Sequence, residues 1–204
     1  MADLATQFPS SPSFESVNFR VNTPTQLTNT MTGKIRRVGM GVSFYSWEVK
    51  YPQLTPLDSG TVRGYVAQAL GPQFSFEIVL PKISYTKLTG QTANTPRTSA
   101  SMSIGATNVA LTNCGANGKV LAAGDFFLFN NHTKVYQCVS PCTADGSGNA
   151  TLYFSGPSVS AVAQNTNLTI TAVPFTAVFA EDAQEFEFGY GGMSTMTLSM
   201  REVW

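Results

Sequence analysis

The sequence predicts a mainly β chain: a β-sandwich with one packed helix, carrying a small inserted β-barrel or β-sandwich domain. Three observations predict it. Stretches of alternating apolar and polar residues recur near both ends of the chain. One segment has apolar residues at helical spacing behind a capping sequence. A low-charge stretch in the middle reads as short strands and turns.

Taken in order, residues 1–13 are polar with Pro9 and Pro12 and read as an irregular arm. "FESVNFRVN" then sets Val17, Phe19 and Val21 on one face and Ser16, Asn18 and Arg20 on the other, a half-buried strand. Residues 22–33 are Thr-rich, contain Pro24 and have no period, so a long loop or arm is expected. In "VSFYSWEVKY" (42–51), Tyr45, Trp47, Val49 and Tyr51 share a face. In "FSFEIVL" (74–80), Phe74, Phe76, Ile78 and Leu80 do. Between them lies the helix. Thr55 is positioned to cap it, Pro56 suits its first turn and Asp58 completes a capping box. Val62, Tyr65, Val66 and Ala69 form its apolar stripe, and Gly71-Pro72 ends it.

Residues 101–173 hold only four charges, Lys119, Asp125, Lys134 and Asp145, while the other 131 residues hold twenty. "TKLTGQTANTPRTSAS" leads into this stretch as a connector. Strands are expected at Asn108–Leu111, Asp125–Phe129, Thr133–Val139, Ala150–Phe154 and Leu168–Val173, with "ADGSGN" (144–149) a turn. After Pro174 the charges return. "FTAVFAE", "QEFEFGY" and "STMTLSMREVW" read as strands, with Phe186, Phe188 and Tyr190 opposite Glu185 and Glu187, and "GYGG" as a turn. The ends match each other better than either matches the middle. The expected organisation is therefore residues 1–100 and 174–204 as one domain, interrupted by 101–173.

Composition narrows the function classes. The 204 residues are 43% hydrophobic but only 12% charged, with Lys plus Arg equal to Asp plus Glu. A nucleic-acid binder would carry a basic excess. A near-neutral surface repels its own copies weakly and suits self-assembly. "MADLATQFPSSPSF" has no basic start or apolar core of a signal peptide, and no apolar run is long enough to span a membrane. A cytosol-like place of synthesis is expected. On that basis the Asn-x-Thr matches at Asn131, Asn149 and Asn167 are chance.

The candidate chemical residues are few. His132, the only histidine, sits in "LAAGDFFLFNNHTKVYQC" with Asp125, Lys134 and Cys138. "NNHT" reads as a hairpin tip, and neither Gly-x-Ser-x-Gly nor His-Glu-x-x-His is present. Cys114, Cys138 and Cys142 lack the paired spacing of a metal site and read as buried thiols, so no metal is expected. No phosphate-cradling glycine pattern occurs, and no cofactor is expected. Glu185 and Glu187 share a strand face. They read as a solvated acidic face, or one that meets a basic partner, rather than a glycosidase pair. Nine Lys or Arg fall within residues 20–97, densest in "GKIRR" (33–37), so an intersubunit charge match is conceivable. Lys34, Arg36, Arg37, Trp47, Glu185 and Glu187 are the candidate oligomer-interface residues.

Four stretches, "FPSSPSFESVNFR", "SWEVKYPQLTPLDSGTVRGYVAQALGPQFSFEIVLP", "GKVLAAGDFFLFNNHTKVYQC" and "STMTLSMREVW", give the chain a resemblance to structural proteins of the tail tip of long-tailed bacteriophages, the distal-tail or minor-tail class. The resemblance implies a tail-tube-like β-sandwich with one packed helix and copies in a hexameric ring. The ring would contact the tail tube protein, the tail hub and the fibre or spike proteins, in a virion tail assembled in the host cytoplasm. Under it, DNA is only passing cargo, with Glu185 and Glu187 as candidates to line the lumen, and there is no catalysis. Two other classes stay open. One is a different virion part, such as a tail tube, tail terminator or capsid-decorating protein. The other is a carbohydrate-binding module using Tyr136 or Tyr153. A hydrolase built on His132 or the glutamates is the remaining alternative.

Overall fold

The computed structural model describes residues 7–29, 31–39, 41, 43–86 and 88–204. Its elements are β1 (Ser16–Asn22), β2 (Thr25–Asn29), β3 (Ile35–Gly39), β4 (Phe44–Lys50), α1 (Pro56–Ala69) and β5 (Phe76–Ile78). There follow β6 (Arg97–Thr98), β7 (Asn108–Thr112), β8 (Lys119–Leu121), β9 (Phe126–Phe129), β10 (Val135–Gln137), β11 (Cys142–Thr143), β12 (Ala150–Tyr153) and β13 (Leu168–Thr169). The chain ends with β14 (Phe175–Phe179), β15 (Phe186–Phe188) and β16 (Ser194–Glu202). The protein is mainly β with one α-helix among the described residues. No helix among them is long and apolar enough to cross a membrane.

Two compact units divide the chain: residues 1–20, 45–81 and 174–204 in the first, 21–44 and 82–173 in the second. The first is organised by a six-stranded sheet in the order β1-β4-β16-β14-β5, with β15 paired to β16 off that path. Its register explains the alternating sequence. Leu198 lies opposite Val49 and Met200 opposite Trp47. Phe179 also faces Met200, and Phe175 faces Ile78. All these side chains are buried on one face, as strands with a single apolar face require. The sheet curls, because Phe19 on one border strand reaches Phe175, three strands along, at 5.8 Å between ring centroids.

The helix forms where its capping signals stand. The Thr55 hydroxyl accepts from the Asp58 amide (3.3 Å) and donates to the Asp58 carboxylate (2.7 Å). Leu70 closes it in the left-handed region, followed by Gly71 with φ of 65°. Val62, Tyr65, Val66 and Ala69 are its buried face, and Tyr65 meets Phe76 edge-on at 5.7 Å.

The expected arm at residues 1–13 needs correction where it is described. Phe8 is buried, lies 5.1 Å from Tyr65 and 5.4 Å from Phe76, and donates its amide to the Glu77 carbonyl (2.8 Å). A single Phe among prolines and serines has no periodicity to betray it. The rest of that arm, residues 1–6, lies outside the described residues. The loop expected at 22–33 is also different. Thr25–Asn29 pairs with Ile35–Gly39 as a hairpin, from Thr25↔Gly39 to Asn29↔Ile35. Strand 74–80 is shorter than expected, and Phe74 lies at the surface.

The second unit holds small sheets, β10-β9-β13, β12-β7-β6 and β11-β8, around one core. Phe127, Phe129, Tyr136, Leu111, Leu152 and Phe154 are central to it. The turn 144–149 is tied by Asp145, whose Oδ1 accepts from the Ser147 and Asn149 amides (2.8 and 2.9 Å). Residues 82–100, assigned from sequence to the first domain, group with this unit instead, as do residues 21–44. Gln91 Nε2 donates to the Val120 carbonyl (3.0 Å), Thr98 Oγ1 to the Ala163 carbonyl (2.7 Å) and the Leu168 amide to the Pro96 carbonyl (3.0 Å). Their connector-like composition hid this, since polar side chains bonding to backbone leave no apolar stripe.

Two measurements check these assignments. Phe8→Ala should lower the stability of the full chain by about 3 kcal/mol in denaturant unfolding. A loss below about 1 kcal/mol would place Phe8 outside the core. A fragment of residues 82–173 should give a dispersed amide NMR spectrum, and one of 101–173 should not; equal dispersion would deny 82–100 a part in the fold.

Candidate functional site

His132 sits in the turn between β9 and β10, half-buried against Phe129, with ring centroids 5.8 Å apart. Both ring nitrogens are engaged: Nδ1 is 2.8 Å from Asn131 Oδ1 and Nε2 is 2.9 Å from the Tyr136 hydroxyl. Asn131 Oδ1 only accepts, so Nδ1 carries the proton and Nε2 accepts from Tyr136. The Tyr136 oxygen in turn accepts from the Val159 amide (3.0 Å), and Asn131 Nδ2 donates to the Ala161 carbonyl (2.8 Å). The chain Val159–Tyr136–His132–Asn131–Ala161 thus fastens the turn to the loop at 159–161. Burial, reinforced by the nearby Lys134 charge, lowers the His132 pKa from 6.5, which favours the neutral ring this network needs.

The other residues of that stretch are equally engaged. Asp125 is buried, and its Oδ2 accepts from the Thr86 hydroxyl and from the Ala122 amide (2.9 Å). It therefore shapes the turn before β9. Lys134 is buried too. Cys114, Cys138 and Cys142 are free, buried thiols. Burial raises all three pKa values, Cys114 to about 11 and Cys142 to about 12. No group of three His, Cys, Asp or Glu among the described residues is placed to hold a metal ion.

The aromatics weighed as a sugar platform are mostly core. Tyr136 is buried with Phe126, Phe127, Phe129 and Phe154, and only Tyr153 of the six presents an exposed ring. A groove in the second unit is lined by Gln91, Thr92, Asn94, Asn130 and Thr169. Its Gln91 and Asn130 side chains already bond within the unit.

The candidate interface residues separate into two groups. Trp47 is only 2% exposed, stacked on Phe19 at 6.1 Å and meeting Phe175 edge-on at 5.4 Å. It is a core residue, and its place among the interface candidates is corrected. Its alternation with Ser46 and Glu48 is the signal of an inward-facing ring. Lys34, Arg36 and Arg37 lie exposed on the β2–β3 hairpin, and Glu185 and Glu187 lie exposed on the β15 segment. What sequence reading missed is the hairpin's apolar surface. Leu27 is 65% exposed, Ile35 58% and Val38 61%, and every residue of both strands is exposed. A signal was available: Ile35 and Val38 stand three apart in a strand, so they fall on opposite faces and build no core-facing stripe.

No protein-family model matches the chain, and no curated protein does. The functional reading therefore rests on these residues and on the likeness of layout.

The His132 network has a pH signature. A ring whose folded pKa lies below its unfolded value stabilises fully above about pH 6.5 and loses that contribution as pH falls through the folded value. Thermal melts of the full chain should fall more steeply below pH 6.5 for the native protein than for His132→Gln. Parallel slopes would show that the ring is not held neutral.

Proposed function

We propose that this chain is a structural component of a bacteriophage tail tip. In this reading copies assemble into a ring that joins the tail tube to hub and fibre proteins, and DNA passes through as cargo. The observation that carries the reading is the β2–β3 hairpin, exposed along its whole length with Leu27, Ile35 and Val38 uncovered. A two-stranded hairpin is marginal in water by itself. Fully burying one such aliphatic side chain contributes about 1.5–3 kcal/mol. Three of them outweigh any surface ion pair, at about 0.2–1 kcal/mol. The hairpin is therefore a natural seat for another protein chain. Low overall charge supports contact between like copies, since it removes the repulsion that keeps monomers apart.

The experiment is mass-resolved size-exclusion chromatography with negative-stain imaging of the full chain and of a variant with residues 25–39 replaced by a short Gly-Ser link. The native chain should form closed rings as concentration rises. The variant should keep its circular-dichroism spectrum and stay monomeric. Assembly of both to the same degree, or of neither, would overturn the proposal.

A further inference from the structure

We infer that the hairpin's receptor is the acidic β15 segment of a neighbouring copy, an inference that rests on the self-assembly reading above. The two surfaces are opposite in charge. Lys34, Arg36 and Arg37 crowd four consecutive positions, and Glu181, Asp182, Glu185 and Glu187 crowd seven, all of them exposed. Among the described residues, neither Arg36, Arg37 nor any of the four acids makes an ion pair within the chain. The other charges of the first hundred residues offer no comparable cluster.

The backbone agrees with the charges. Within the described residues β3 pairs only with β2, and β15 only with β16, so each presents an open edge. Laying the two edges together extends one sheet from copy to copy, which is how a strand border recruits a partner. Side-chain alternation then sorts the contacts. On β3, Arg36 and Val38 share one face while Ile35 and Arg37 share the other. On β15, Glu187 lies on one face and Phe186 and Phe188 on the other, and Glu185 directly precedes the strand. Whichever way the strands meet, an arginine comes beside the glutamates and an aliphatic side chain beside the phenylalanines, of which Phe188 is 56% exposed. Opposite charges directly across a strand pair attract, and like charges repel.

The contact is head-to-tail, because donor and receptor are different patches of the same molecule. Such contacts close into rings or run on as filaments. A second copy is therefore the occupant that the charges, the open edges and the apolar side chains jointly fit.

Charge exchange tests it, with sedimentation of the full chain as readout. The doubly reversed hairpin variant (Arg36→Glu, Arg37→Glu) should associate about a hundredfold more weakly than the native chain, and so should Glu185→Arg with Glu187→Arg. An equimolar mixture of the two should recover association, since each hairpin then meets a receptor of opposite sign. Raising salt from about 0.05 M to about 0.5 M should weaken the native contact. Loss of association on hairpin reversal alone, with the β15 reversal and the mixture behaving otherwise, would overturn this receptor while leaving self-assembly intact. A native chain that never associates would overturn both. A reversed-hairpin defect that the equimolar mixture does not repair would point to an acidic partner other than the β15 segment of this chain, and would overturn it too.

Discussion

A sheet border exposes a row of backbone donors and acceptors that must find partners, and this constraint governs how the first unit is built. The chain meets it with its own N-terminal segment. The Phe8 amide bonds to the Glu77 carbonyl beside β5, at one border of the sheet. A few residues later the Glu15 amide bonds to the Lys50 carbonyl (2.8 Å), and β1 runs along β4 at the other border. One segment thus serves both edges, and the aromatic residues that travel with it, Phe8, Phe14 and Phe19, fill the concave side. Phe14 meets Tyr51 at 5.2 Å, and Phe19 stacks on Tyr45 at 5.4 Å. Curling the sheet brings these rings together, so border pairing and core packing stabilise each other.

Seen against that closure, the borders left open stand out. The hairpin and β15 carry charge and apolar side chains together, the composition that the proposed contact between copies requires. In such a contact apolar burial supplies affinity, while charge sets partner choice and speed of encounter. Within residues 101–173 the pattern differs: two of the four charges, Asp125 and Asp145, order turns.

The parts of the fold legible in the sequence are those with a repeating signal: the period-two strands β1, β4 and β16, and α1 with its Thr55 cap. Three things were not legible. Phe8 had no neighbours in register to announce it. Residues 82–100 bond through amides and hydroxyls, which leave no hydrophobic pattern. The hairpin has aliphatic residues on both faces, so neither strand carries the period-two apolar stripe by which a half-buried strand is recognised. For the candidate residues, Arg36, Arg37, Glu185 and Glu187 were findable from charge clustering. Trp47 was misassigned because a large aromatic ring suits an interface and a core equally well by type, and only the burial of its neighbours decides.

The three thiols have a practical consequence. Burial and raised pKa keep Cys114, Cys138 and Cys142 overwhelmingly protonated at neutral pH, and the thiolate is the form that reacts. The three cysteines of the folded molecule should therefore react slowly with maleimides without any of them being removed. A cysteine introduced on the hairpin or beside Glu187 would be the one fast-labelling thiol, giving fluorescence or crosslinking probes a clean handle on whichever border meets its neighbour.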